Sequence, residues 1–244
     1  MNRKCLYCYK PLTRDEKDFH ESCSVTFFGT KAPPDLSYSL NEMSVLAKNV
    51  VERSISVPGV QPKLSMSLVN DIIRGKKKER LTVVGALGGN YILKPPVAVY
   101  PVMPQNEHLT MRIAESFGIP VVPSSLIRLK SGELAYITKR IDRKENGEKI
   151  HMLDMFQITE AFDKYRSSME KVGKALDAYS DNTLLDKLYL FELTLFCFVT
   201  GNNDMHLKNF SMILRNENWI FAPAYDLLNV AIVNPEDTEE LALT

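Results

Sequence analysis

Gly201-Asn202-Asn203-Asp204-Met205-His206-Leu207-Lys208-Asn209-Phe210 is the stretch on which the reading of this chain turns. It follows an apolar segment, residues 184–200, whose spacing predicts a helix. Asp181 or Asn182 is placed to cap that helix, and Gly201 to stop it. It precedes two strand-like runs, residues 210–214 and 219–221, which read as a hairpin. After the hairpin comes Pro223-Ala224-Tyr225-Asp226. Asp204 and Asn209 thus share a polar loop, five positions apart, and Asp226 follows 17 positions after Asn209.

Phosphoryl transfer uses this assortment of groups. A carboxylate orients the attacking hydroxyl and takes its proton, and oxygen ligands hold Mg²⁺ between the phosphates. Asp-x4-Asn on a loop, a hairpin, then a second Asp is the arrangement of a protein-kinase catalytic loop and its metal-binding Asp. Two features upstream agree. Ser54-Ile55-Ser56-Val57-Pro58-Gly59-Val60-Gln61-Pro62-Lys63 lies beside a strand and is suited to cradle phosphates with backbone N–H groups. Tyr91-Ile92-Leu93-Lys94 ends an apolar strand on a lysine, the position of the kinase phosphate-pairing residue. Taken singly, these pieces also read as a polar surface loop, a Pro-Gly turn and a strand-end lysine. Their order along the chain favours a kinase.

The rest of the chain sorts around these motifs. Residues 1–30 form a polar Cys/His module, and Pro33-Pro34 marks a linker. Residues 37–52 carry a helix with Leu40, Met43, Leu46 and Val50 on one face. Strands are expected at 63–69, 81–84, 91–94, 124–129 and 134–138, with a helix over 105–117 and a charged turn at Gly75-Lys76-Lys77-Lys78. Helices are expected at 153–161, 168–179 and 184–200. The whole is an α+β, two-lobed, protein-kinase-like fold: a Cys/His module at 1–30, a strand-rich N-lobe at 37–141 and a helical C-lobe at 142–244. With 30 Lys and Arg against 30 Asp and Glu the net charge is zero, which argues against a protein that coats nucleic acid or a membrane surface. The apolar run 188–199 is interrupted by Glu192 and too short to span a bilayer, so it reads as a buried helix. There is no apolar secretory segment after Met1, and a cytoplasmic location is expected.

Three of the four cysteines fall in the first 23 residues. Cys5-x2-Cys8-x11-His20-x2-Cys23 is the spacing of a tetrahedral Zn²⁺ site with three thiolates and one imidazole. Acidic residues interleave with the basic ones here, so a structural clip fits better than a nucleic-acid knuckle.

The chain resembles the HipA family of toxin serine/threonine kinases. The matching pieces, in the family's order, are Ile55 to Lys63, Ile92-Leu93-Lys94-Pro95, Asn106-Glu107, Lys139-Arg140-Ile141-Asp142-Arg143, Asn203 to Ser211 and Pro223 to Asp226. The Ser54-Ile55-Ser56 pair looks most like HipT, the short member of three-gene systems. The resemblance implies Asp204 as catalytic base, Asn209 and Asp226 as Mg²⁺ ligands, and Lys94 as partner of the α/β-phosphates of ATP. Pro58, Gly59, Val60, Gln61, Pro62 and Lys63 would form the nucleotide loop, Lys139, Arg140 and Ile141 the adenine hinge, and His206 and Tyr225 would lie by the nucleotide. Ser54 and Ser56 would be autophosphorylated. The implied substrate is an aminoacyl-tRNA synthetase, tryptophanyl or glutamyl. The implied partners are a HipB-like antitoxin, through which alone the protein would meet DNA, and a small HipS-like protein. Pro58, Met205 in place of a glycine, and Lys139 in place of an acid depart from the family pattern, and the chain is expected to be shortened after Leu241. The rival readings are a small-molecule phosphotransferase of the aminoglycoside or phosphoinositide kinase type, and an inactive antitoxin-binding scaffold.

Overall fold

Alternating apolar residues between positions 64 and 139 build one antiparallel sheet. In a computed structural model, which describes residues 3–52, 62–73, 76–84, 88–236 and 241–243, the sheet has five strands. They are β1 (Leu64–Ile73), β2 (Lys76–Val83), β3 (Tyr91–Lys94), β4 (Ser124–Arg128) and β5 (Leu134–Lys139), in the order β2-β1-β3-β5-β4. Leu93 of β3 sits in register between Leu64 and Ile137, and all three are fully buried. The lysine run 76–78, expected as a turn, lies inside β2, paired with Asp71, Ile72 and Ile73. β2 is an edge strand, where charged residues are tolerated and discourage pairing with another chain.

Three helices accompany this sheet: α1 (Glu21–Phe28), α2 (Leu40–Glu52) and α3 (Met103–Ser116). Ser39 starts α2 with a reciprocal cap. The Glu42 carboxylate accepts from the Ser39 N–H at 2.7 Å, while the Glu42 N–H points at Ser39 Oγ, 3.4 Å away. Phe27 and Phe28 of α1 meet edge to face, with ring centres 4.7 Å apart, and pack with Tyr91 of β3. Cys5, Leu6, Phe19 and both phenylalanines belong to the same buried cluster as Leu64, Leu93, Leu126 and Ile137. The first 30 residues therefore share the core of the sheet. Three further ties seat them: Arg128 bonds Asp18 at 2.9 Å, the Leu126 N–H donates to the Leu6 carbonyl at 3.2 Å, and the Tyr9 hydroxyl meets His108 Nδ1 at 2.7 Å.

The chain divides into two compact units. One comprises Met1–His108 with Pro123–Arg140, and the other Leu109–Val122 with Ile141–Thr244. The second holds a three-stranded sheet, β6 (Met152–Asp154), β7 (Ser211–Arg215) and β8 (Asn218–Phe221), with β7 central. Around it lie α4 (Met155–Ile158), α5 (Met169–Tyr179), α6 (Thr183–Val199) and α7 (Val230–Val233). Residues 153–161, expected as one helix, are split. Leu153 pairs with Met212 across β6 and β7, and the helix begins only after Asp154, which caps it reciprocally with Gln157. Glu160, at φ 48°, has already left helical geometry.

In α6 the buried residues are Asp186, Leu190, Leu193, Phe196 and Cys197. Leu188, Phe191, Leu195, Phe198 and Val199 are exposed. The helix buries one face, not both as its composition suggested. No helix among the described residues is long and apolar enough to cross a membrane.

Candidate active site

One group of candidate residues, in the first unit, is built on β3. That strand lies between β1 and β5, so the lysine that ends it is carried into the interior rather than out to water. Lys94 Nζ lies 2.5 Å from Glu107 Oε1 on α3, and the two side chains are 5% and 3% exposed. Nζ is also 5.3 Å from the centre of the Tyr136 ring. A buried ammonium is tolerable only when paired in this way. Glu107, which the sequence placed only in a motif, is thereby the partner of Lys94.

At the end of β5, Lys139 Nζ sits 5.7 Å from the centre of the Phe27 ring. Its N–H donates to the Pro123 carbonyl at 3.0 Å, and the Arg140 N–H donates to the Asn90 carbonyl at 2.8 Å. Both amides are committed to bonds within the fold. Pro62 and the exposed Lys63 precede β1. Ser54, Ser56, Pro58, Gly59, Val60 and Gln61 lie outside the described residues.

The other group, in the second unit, lies on the loop after α6. Gly201 adopts φ 64°, left-handed backbone that a side chain would strain. Here the chain turns back, and the Asn202 N–H donates to the Cys197 carbonyl at 2.8 Å. The Asp204 carbonyl then accepts two bonds, from the His206 N–H at 2.9 Å and from Asn209 Nδ2 at 2.8 Å. The second bond fixes the Asn209 amide and leaves Oδ1 as its metal-competent end. Met205 is fully buried. The Asp204 side chain is exposed, and its Oδ1 accepts the Tyr165 hydroxyl at 3.0 Å.

His206 is 7% exposed, and its Nε2 lies 2.8 Å from Lys164 Nζ. Its Nδ1 is buried with no hydrogen-bond partner among the described residues. Burial holds the imidazole below its ordinary pKa. The Lys164 ammonium acts in the same sense, and the Asp204 and Asp226 carboxylates oppose it. The Tyr165 ring stands edge-on to His206 at 5.1 Å, and the Leu207 N–H donates to the Lys164 carbonyl at 3.1 Å. Lys164 and Tyr165 were not legible in the sequence, because they lie in a polar connection without periodicity.

Tyr225 binds the loop from its far end. Its hydroxyl donates to the Lys208 carbonyl at 2.9 Å and lies 2.5 Å from Ser211 Oγ. Burial pushes that phenol above its ordinary pKa. Asp226 follows in left-handed backbone, φ 56°, a conformation that aspartate adopts more readily than most residues with a side chain. Asp204, His206, Asn209, Tyr225 and Asp226 are thus gathered within one unit. The oxygen donors of Asn209 and Asp226 suit a hard cation such as Mg²⁺, which keeps most of its waters and takes one or two carboxylate or amide ligands.

The HipA-like C-terminal domain family matches residues 55–244, and the chain belongs to it. A putative kinase of Haemophilus influenzae is 28% identical over 93% of this chain and 68% of its own length. The serine/threonine-protein kinase toxin HipA of Shewanella oneidensis is 27% identical over 76% of this chain and 45% of its own. The solved complex of Shewanella oneidensis HipA with HipB and operator DNA contains a chain that superposes with a TM-score of 0.61. It is 25% identical to this one, and the match covers 81% of this chain and 53% of that one. The chain therefore spans about half the length of the HipA toxin it matches. The fold is the α+β kinase-like fold that the motifs implied.

Proposed function

We propose that the protein is an ATP-dependent serine/threonine kinase, acting as the toxin of a toxin–antitoxin system. The observation that carries this reading is the loop in which Asn209 Nδ2 and the His206 N–H both fasten the Asp204 carbonyl, leaving the Asp204 carboxylate exposed. In this reading Asp204 takes the proton of an acceptor hydroxyl. The hydroxyl oxygen bonds to the γ-phosphorus as the bond to the β-bridging oxygen breaks, and ADP leaves. Asn209 and Asp226 hold Mg²⁺, Lys94 pairs the α/β-phosphates, and Glu107 keeps Lys94 aimed. Tyr165 orients the Asp204 carboxylate, while Pro58 to Lys63 and Lys139 to Ile141 bind the nucleotide.

The substrate class favoured by the family resemblance is an aminoacyl-tRNA synthetase, tryptophanyl or glutamyl, and the partners are a HipB-like antitoxin and a HipS-like protein. Phosphorylation of Ser54 or Ser56 places negative charge beside the loop that receives ATP's own phosphates and acts as a brake. The test is incubation with labelled ATP, Mg²⁺ and each purified synthetase, followed by intact-mass analysis of both proteins. Phosphate on a synthetase seryl or threonyl residue, absent with Asp204→Asn, is expected. Label appearing only on small molecules would overturn the protein-kinase reading.

A further inference from the structure

Apart from the phosphoryl-transfer motifs, the chain carries a second cluster of reactive side chains that the kinase reading does not use. Cys5 and Cys8 lie in a tight turn in which the Tyr9 N–H donates to the Cys5 carbonyl at 3.0 Å. Tyr9 is left-handed at φ 60°, and the Cys5 N–H donates to the Lys10 carbonyl at 2.9 Å. His20 is the N-cap of α1, and Cys23, three residues on, lies on the same face of its first turn. These two segments bring one ligand atom from each of Cys5, Cys8, His20 and Cys23 to within 4.8 Å of one another. His20 Nδ1 lies 3.4 Å from Cys8 Sγ and 3.5 Å from Cys23 Sγ. Ligand atoms on a tetrahedral Zn²⁺, with Zn–S about 2.3 Å and Zn–N about 2.0–2.1 Å, stand about 3.6–3.8 Å apart. The two His20 pairs already stand near that spacing, and no pair is wider than 4.8 Å.

The far side of the imidazole supports the same reading. His20 Nε2 lies 3.1 Å from the Pro11 carbonyl. A carbonyl can only accept, so the proton sits on Nε2, and Nδ1 presents its lone pair to the three sulfurs. Metal-bound histidines are held in this way by a backbone or carboxylate acceptor. None of the four cysteines is in a disulfide.

We propose that Cys5, Cys8, His20 and Cys23 bind one structural zinc ion. All four positions are filled by the protein, so no site is left open for water or substrate, and the ion has no catalytic part. Its role is to join the 5–8 turn to α1, fixing the segment that delivers Leu6, Phe27 and Phe28 to the core of the sheet. The proposal is independent of the kinase reading and survives its failure.

The test is elemental analysis of the full chain purified without chelator, together with Cys8→Ser and Cys23→Ser. About one zinc per chain is expected for the wild type, falling to near zero in the variants. Should the variants not fold, the wild-type chain is stripped with chelator and refilled with Co²⁺. Tetrahedral thiolate coordination then gives intense visible bands, and refilling with Zn²⁺ restores the melting temperature lost on stripping. A chain isolated without zinc whose melting temperature neither chelator nor added Zn²⁺ moves overturns the proposal. So does iron with inorganic sulfide, which identifies a cluster, or a Cys5–Cys8 disulfide in the native protein.

Discussion

At the scale of single residues, Asp204 and Glu107 separate chemistry from stability. Asp204→Asn removes the proposed base but none of the proposed nucleotide ligands. Its phosphoryl transfer is expected to fall by about 10²–10⁴-fold, with Mg·ATP affinity by calorimetry little changed, whereas Asp226→Ala should weaken that affinity. Glu107→Ala leaves the buried Lys94 ammonium without its carboxylate, which typically costs about 3–5 kcal/mol. Urea unfolding should show this loss, and the double change Lys94→Met with Glu107→Leu should recover most of it. His206 supplies a pH dependence. Its folded-state pKa lies below the ordinary 6.5, chiefly through burial, with Lys164 adding to the shift and Asp204 and Asp226 opposing it. The unfolded chain therefore takes up a proton that the native state resists, and stability is lost as pH falls from about 6.5 towards the lower native value. His206→Gln should flatten that acid limb of the urea midpoint measured against pH.

At the scale of elements, two aspartates stitch β8 to the start of α6. Asp186 Oδ2 accepts from Ser180 Oγ at 2.6 Å and from the buried Phe221 N–H at 2.8 Å. Asp181, read from the sequence as a candidate helix cap, instead accepts the Trp219 N–H at 2.7 Å, and Asn182 takes the cap position without a side-chain bond. Asp186→Ala strands the Phe221 N–H and should cost about 1–3 kcal/mol, read as a lower urea midpoint, with Asp186→Asn intermediate. The same elements mark what could be read in advance. The strand of Leu64 and Met66, the β4–β5 hairpin and the Gly201 stop followed from period and turn chemistry. The division of 153–161 did not, because Leu153 enters a strand only by pairing with Met212, nearly sixty positions away. Nor did the exposed face of α6, since composition alone cannot say which sides of an apolar helix find partners. In the candidate site, Asp204, Asn209 and Asp226 were legible as a spacing. Lys164 and Tyr165 were not, because only the tertiary fold brings them to the loop.

At the scale of the whole chain, the contacts that seat the first 30 residues have an unusual range. Tyr9 meets His108 at a separation of 99, Asp18 meets Arg128 at 110, and Leu6 meets Ser125 at 119. The four ligands of the Cys/His cluster are spread over only 18 positions, from Cys5 to Cys23. Closing the short loop costs about 1–2 kcal/mol less in chain entropy than closing the long ones. During synthesis the Cys/His clip can therefore form while β4 is still unmade, and it then waits as a small preassembled piece for the sheet to reach it. Metal capture would thereby convert many slow, independent long-range searches into a single docking event. In stopped-flow refolding, the zinc-loaded chain should reach the native state faster than the stripped chain, with the difference concentrated in the slowest phase.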